Sequence, residues 1–232
     1  MAMAGGRLRE KHKRRRAEQV LDAAEHLFSQ KGYEATRIET IAEKASVAPA
    51  TVYNYFATKP NLLMELAMRH VHAALPERRS FIRNLPDDPV AGMLAFERLL
   101  AEQAMRHLSR ESWRVILSAQ YIEPEGRASR TGARLNTLIK RHYISLIRTY
   151  QQRGRLDPHV DPVRLSELIV GITTFIFSNF VSSSGGTVEE MLSKGGGHIE
   201  FILRNLVRTP ADDAAAPSAP PAGPGADGVG KK

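Results

Sequence analysis

The chain has 232 residues, 42% of them hydrophobic and 25% charged, with a formal net charge of +8. That length and mix fit a soluble globular protein of one large domain, or a small domain plus a medium one, and the positive balance favours polyanionic partners. There are no cysteines, which excludes disulfides, thiolate catalysis and cysteine-based zinc sites.

The N-terminus is basic: Arg7, Arg9, Lys11, Lys13, Arg14, Arg15 and Arg16 stand against one acid, Glu10. Residues 1–13 show no apolar periodicity, include Gly5–Gly6, and read as a disordered basic arm. No apolar signal segment follows the basic residues. From Arg14 a helical period begins, with Val20, Leu21, Ala24, Leu27 and Phe28 on one stripe and Gly32 as its C-cap. Thr36 and Glu39 have capping-box spacing and predict the start of a second helix, whose buried face is Ile38, Ile41, Ala42 and Ala45. Ser46–Val47 make a turn. Pro49 fits the first position of a third helix ending at Phe56, where its missing N–H costs nothing. Ser46 stands where glycine would tolerate positive φ, and Ala48 lacks a capping oxygen, each a weakness of roughly 1 kcal/mol. Thr58 caps a fourth helix, expected to stop near Leu75 before Pro76.

The third helix is too short and polar to be a good core element. It carries Thr51, Tyr53, Asn54 and Tyr55 within one and a half turns, with Lys59 just beyond. A short, polar, aromatic and basic helix after a tight turn suits a groove of DNA.

The remainder is helical as well. Asp88–Pro89 opens a segment to about Ser109, and Glu111–Ile122 stops before Pro124. Gly126–Arg153 is long and periodic. Asp161–Pro162 starts a helix, apolar on nearly every side, to about Ser182, and Thr187–Arg208 follows with Gly195–Gly197 interrupting it, which reads as close helix packing or a kink rather than a phosphate site. The most apolar run, Leu168–Val181, is shorter than the roughly 20 residues that a membrane span needs. Of the 24 residues 209–232, sixteen are Ala, Pro or Gly, so the composition there predicts a disordered tail. No period-two strand pattern appears. The fold class is all-α with about nine helices.

The residues from Arg14 to Val71, with AEHLFSQKGYEAT followed by IETIAEKASVAPATVYNYFATKPNLL, resemble the tetracycline-repressor (TetR) family of transcription regulators. The resemblance implies a helix-turn-helix DNA-binding domain over residues 14–71 with its motif at 37–56, and an effector-binding and dimerisation domain over 72–208. It implies that Thr36 and Arg37 touch phosphates, and that Thr51 and Asn54 face base edges or flanking phosphates in the major groove. Tyr53 and Tyr55 would pack on sugar–phosphate, Lys59 would contact phosphate, and Pro49 and Ala50 would meet a thymine methyl. A competing reading packs Tyr53 against the first helix. The basic arm either enters the adjacent minor groove or, as the favoured reading, raises nonspecific affinity by counterion release.

Helices 161–182 and 187–208 carry more apolar surface than a monomer of this size needs. Pairing with a second copy explains the surplus, and the family likeness implies a four-helix bundle across a two-fold axis. Two recognition helices about 34–36 Å apart would then read a near-palindromic operator. Met93, Phe96, Trp113, Tyr121, His142, Tyr143 and Phe175 are candidate linings of an effector pocket, each also readable as ordinary core. The implied ligand is a hydrophobic or amphipathic small molecule that releases a repressor from double-stranded DNA; the alternative is a regulator gated by a protein partner or by nothing. The histidines lack metal-ligand spacing, and no phosphate loop, nucleophile elbow or carboxylate pair appears. The sequence therefore predicts no metal, no cofactor and no enzymatic activity, and a cytoplasmic location.

Overall fold

A computed structural model of the chain describes residues 2–208, with side chains from Arg9 onward and Gln120 apart. Among these residues the regular elements are nine helices: α1 (Ala2–Lys31), α2 (Ile38–Lys44), α3 (Pro49–Phe56), α4 (Lys59–Arg83), α5 (Pro89–His107), α6 (Arg110–Ile122), α7 (Arg127–Gln152), α8 (Pro162–Ser182) and α9 (Val188–Leu203). One isolated antiparallel bridge pairs Leu156 with Val207 and ties the α7–α8 loop to the segment after α9. The Ala/Pro/Gly-rich segment 209–232 lies outside the described residues.

The cap residues fix most boundaries. Gly32 ends α1 at φ +82, its N–H bonded to the Phe28 carbonyl, and Tyr33 packs on Phe28 with ring centroids 5.2 Å apart. The Asp88, Ser109, Asp161 and Thr187 side chains each accept backbone N–H groups at the starts of α5, α6, α8 and α9. Thr58 does the same for α4 through the Asn61 amide.

Five expectations change. The segment expected to be a disordered arm is helical from Ala2, because its Arg, Lys, Glu and Leu residues are good helix formers that continue α1 as one rod. Thr36 and Glu39 make no capping box. The N-cap of α2 is Arg37, without a side-chain hydrogen bond, while the Thr36 hydroxyl turns inward to the carbonyls of Gly32 (2.7 Å) and Leu27 (3.4 Å). Third, α4 runs two turns past Leu75 with Pro76 inside it. Pro76 is exposed, and the helix beyond it is held by buried Arg78 and by Phe81 against Phe96 of α5.

Gly195–Gly197 do not interrupt α9. Gly195 and Gly196 are buried, and a Cβ on Gly196 would approach the Leu94 side chain of α5 at 3.2 Å, so these positions permit close helix packing. Finally, α8 has 21 residues, and by length and composition it is apolar enough to cross a membrane. The shorter apolar run in the sequence missed this because α8 extends it by two turns at its N-terminal end. One face of α8 packs into the protein through Leu165, Ile169, Val170, Ile176 and Phe180.

Two apolar clusters hold the molecule. The first is continuous from the α1–α3 head through Leu62, Leu63, Leu66 and Val71 of α4 into Trp113, Ile116, Leu135 and Ile176. The second gathers Met93, Phe96, Tyr143, Leu146, Ile147, Tyr150, Ile169 and Leu203 at the far end. Because α4 belongs to both the head and the body, residue 71 is not a physical boundary.

Candidate nucleic-acid interface and internal cavity

The turn between α2 and α3 explains how the short helix is presented. The Val47 amide bonds to the Ala42 carbonyl and the Ser46 amide to that of Glu43, with Ser46 at φ +54. This is a Schellman motif with serine in the place glycine usually takes. Ile41, Ala42, Val52 and Phe56 are buried in the wedge between the helices, which turns the opposite face of α3 outward. At the other end of α3, Ala57 has φ +64 and ψ −47, and the Thr58 amide bonds to the Phe56 carbonyl. That is a γ-turn of the strained hand, held between α3 and α4.

The exposed face of α3 carries Pro49, Ala50, Tyr53 and Asn54, with Thr51 and Tyr55 half-buried at its sides and Arg37 exposed at the start of α2. Tyr53 is 47% exposed, so it does not pack against α1. Two assigned contacts change. Thr36 is only 2% exposed and its hydroxyl is bonded internally, so its side chain is structural and cannot reach phosphate. Lys59 has a structural role too: its ammonium lies 4.1 Å from the Tyr33 ring centroid and donates to the Glu34 carbonyl at 3.3 Å. Burial pulls the Lys59 pKa down against the nearby Glu34 and Glu111. Tyr55 packs at the rim of the core beside Phe56.

Two side chains of the body grip this head. Glu111 on α6 accepts the backbone amides of Tyr33 (2.9 Å) and Glu34 (3.0 Å). Arg127 on α7 donates to the Tyr55 carbonyl (3.0 Å) and to Glu65 of α4 (2.8 Å). Neither was legible from sequence, since each lies more than 60 residues from its partner.

Behind the head, α4–α9 enclose a largely apolar cavity of about 180 Å³. Its apolar wall includes Val71, Trp113, Ile116, Ile139, Ile176 and Phe177. Trp113 stacks edge-on against Phe177 at 5.3 Å and donates its indole N–H to the Ala104 carbonyl. Trp113 alone of the seven candidate lining residues borders this cavity. Met93, Phe96, His142 and Tyr143 are buried around the second cluster, and Tyr121 and Phe175 point away, 78% and 60% exposed. Helical periodicity marks these residues as apolar-facing without saying which of several faces they meet.

The polar groups at the cavity were missed by the sequence reading. Arg78 is 4% exposed, its Nε donates to Gln103 at 2.7 Å, and its Nη1 is buried with no hydrogen-bond partner. Gln103 in turn donates to Glu77 at 2.8 Å. Glu97 accepts a very short bond from the Tyr143 hydroxyl, and burial pushes its carboxyl pKa up, toward the neutral form. Arg78 therefore borders the cavity while its buried Nη1 has no hydrogen-bond partner.

Residues 20–66 match the family described as bacterial regulatory proteins, tetR family. The HTH-type transcriptional regulator UidR of Escherichia coli (strain K12) is 22% identical over 161 residues, spanning 66% of this chain and 76% of UidR. The HTH-type transcriptional repressor KstR of Mycobacterium tuberculosis is 35% identical over 98 residues, 42% of this chain and 41% of KstR. Among solved structures, Thermus thermophilus FadR, a transcriptional repressor crystallised with lauroyl-CoA, superposes with a TM-score of 0.66. It is 20% identical, covering 88% of this chain and all of FadR. At that identity the superposition speaks for the fold alone.

Proposed function

This chain belongs to the TetR family of bacterial regulatory proteins, and from that premise we propose a dimeric, cytoplasmic repressor released from its operator by a small amphipathic molecule. DNA-binding transcription regulation is the common activity of its relatives. The proposal adds the partner copy, the residues and the ligand class.

For DNA, the supporting geometry is the outward face of α3, where Pro49, Ala50, Tyr53 and Asn54 stand free of packing duties with Arg37 beside them. Asn54 is the candidate for a bidentate adenine contact, and Tyr53 for sugar–phosphate. Thr51, Tyr55 and Lys59 would contribute from the edges while also serving the head's own structure.

For dimerisation, the outer faces of α8 and α9 expose Leu168, Phe175 and Phe201, and Cβ atoms built on Gly171 and Gly197 meet nothing. Large apolar side chains alternating with open glycine positions suit a second helix pair approaching closely across a two-fold axis.

The observation that carries the ligand reading is the unpartnered Nη1 of Arg78 at the apolar cavity. A buried charged donor without a partner carries a desolvation penalty that no bond repays, and a carboxylate or carbonyl on an otherwise apolar molecule that reached it would relieve that penalty. The same feature favours a small-molecule signal over gating by a protein partner. FadR of Thermus thermophilus, with its acyl-CoA, is a relative whose ligand also combines a long apolar chain with polar groups.

The test is fluorescence anisotropy on DNA from upstream of the protein's own gene, with medium-chain carboxylates and their matching alcohols added. The expected result is a salt-dependent, sequence-specific complex released by the acids more readily than by the alcohols. A specific complex that no such compound releases would return the reading to the partner-gated or constitutive alternative.

A further inference from the structure

The helix α7 carries the cations Arg127, Arg130, Arg134, Lys140, Arg141 and Arg148, and no acid. Arg130, Arg134, Arg141 and Arg148 are exposed. At 3.6 residues per turn they fall within about 40° of one another around the helix, on one outward stripe. The opposite face is buried through Leu135, Tyr143, Leu146 and Tyr150. We propose that this arginine stripe is a second DNA-binding surface, which holds the phosphates of a duplex segment other than the operator without regard to its sequence.

The charge of the stripe is not neutralised inside the protein. The acids that pair with α7 take other cations: Glu65 takes Arg127 and Glu167 takes Lys140. Arg130 donates to the Glu125 carbonyl. Arg134, Arg141 and Arg148 make no hydrogen bond or ion pair among the described residues. Three bare guanidiniums, each two helical turns from the next, collect mobile anions that a bound polyanion releases.

The chemistry of the stripe fits phosphate better than protein or lipid. All four positions are arginine, whose planar fork matches phosphate oxygens. The outward positions between them are Ala133, Thr137 and Ser145, all small. None of the large exposed apolar side chains lies on α7. The stripe therefore lacks the aromatic or aliphatic anchor that a protein interface or a membrane surface uses. From Arg134 to Arg148 is about 21 Å along the helix. A duplex over that length presents about twelve phosphates, so contact needs no particular register.

The direction of α7 separates this segment from the operator. Arg127 donates to the Tyr55 carbonyl and pairs with Glu65, which sets the start of α7 against the head. Further along, His142 feels the charge of Arg78, near the far end of α4. The helix thus runs away from the head beside α4, and Arg148 lies about 30 Å along it from Arg127. A straight duplex lying across α3 does not follow it, and the stripe stays open while the head is occupied.

The test fills the heads with a short unlabelled operator duplex and titrates a longer labelled duplex of unrelated sequence, read by anisotropy. The expected result is a ternary complex whose affinity falls steeply with salt. Replacing Arg134, Arg141 and Arg148 together by Gln should weaken it at least about tenfold and lower the slope of log K against log salt by about 2–3. Helicity and affinity for the short operator should not change. Replacing the same three by Lys should retain the complex, since charge carries most of phosphate binding. Absence of a ternary complex, or one that the Gln variant forms as tightly, would overturn the assignment. So would a gain seen only when the extra DNA is joined to the operator, which makes it a flank contact, or a preference for poly-glutamate, which assigns the stripe to an acidic protein. If the short operator itself fails to bind, the reading of α3 is at fault, and the unrelated duplex alone still tests the stripe against its Gln variant.

Discussion

The carboxylate of Glu111, in the body of the protein, accepts the backbone N–H of Tyr33, in the DNA-binding head, at 2.9 Å. Its second oxygen takes the next amide, Glu34, while Lys59 at the start of α4 closes on the same loop from the other side. The loop between α1 and α2 is therefore held by α6 and α4 together. Burial beside Glu34 and Glu111 also raises the Tyr33 pKa. The helix that carries Glu111, α6, also lines the cavity, so two hydrogen bonds join the cavity wall to the head.

Replacing Glu111 by Ala should cost about 1–3 kcal/mol of stability, because two backbone donors lose a charged acceptor. Operator affinity should fall as well, and the ligand should release DNA less effectively. Thermal melts and anisotropy titrations, with and without ligand, separate these effects; Glu102→Ala, exposed on α5, is the control. An unaltered ligand response would exclude the loop as the coupling element.

The recognition-helix variants should divide by their burial. Tyr53→Ala weakens operator binding with stability changed by less than about 0.5 kcal/mol, since the side chain packs on little. Asn54→Ala shifts preference at one base pair by about 1–3 kcal/mol. Lys59→Ala lowers both DNA affinity and melting temperature, because it also removes the contact with the Tyr33 ring, worth about 0.5–1 kcal/mol. Operator panels measured beside thermal melts check all three.

Arg78→Met should leave the melting temperature little changed, since removing an unneutralised buried charge offsets the lost bond to Gln103. Release by carboxylates should instead need at least about tenfold more ligand, as a lost charged hydrogen bond costs roughly 1.5–3 kcal/mol. Dose–response curves for acid and alcohol pairs read this out: the acid should lose its advantage while the alcohol is unaffected.

Leu168→Lys combined with Phe175→Glu places charges on the exposed stripe of α8. Sedimentation should report a folded monomer with unchanged helicity. Operator affinity should drop at least about a hundredfold, because the second head no longer binds intramolecularly. A dimer that persists would mean that another face pairs.

Two buried groups should shape stability in opposite directions with pH. His142 is buried, and burial first, then Arg78, lowers its pKa below 6.5. The unfolded chain therefore takes up a proton that the folded state resists: this contribution is full above pH 6.5 and is lost as pH falls toward the lower, folded pKa. Glu97 is shifted upward by burial, so its unfolded form ionises first and stability declines as pH rises above about 4.5 toward the folded pKa. Melting temperatures across pH 5–8 should show a shallower acid decline in His142→Gln and a shallower decline on the alkaline side in Glu97→Gln.

What the sequence could reveal depended on distance along the chain. Helix starts at Thr58, Asp88, Asp161 and Thr187, the turn at Ser46 and the outward face of α3 are each decided within a few residues by capping, periodicity and backbone preference, and they were legible. Boundaries that rest on packing were not: Pro76 would end an isolated helix, yet α4 continues because Arg78 and Phe81 are anchored in α5 beyond it.

Site residues follow the same division. The family resemblance assigned Thr36 to DNA, but the tertiary structure turned its hydroxyl inward onto the carbonyls of Gly32 and Leu27 at the end of α1. The seven aromatic and apolar pocket candidates were all credible from periodicity, and only Trp113 meets the cavity, because periodicity identifies a helix's apolar face and not the neighbour it meets.

The sequence by itself determined the all-helical class and the DNA-reading head, whose signals are local. Only the tertiary structure decided the cavity bordered by Arg78 and the grip of Glu111 and Arg127 on the head. Each of these joins residues far apart in the chain, and it is the packing of α4 against α1, α5, α6 and α7 that brings them together.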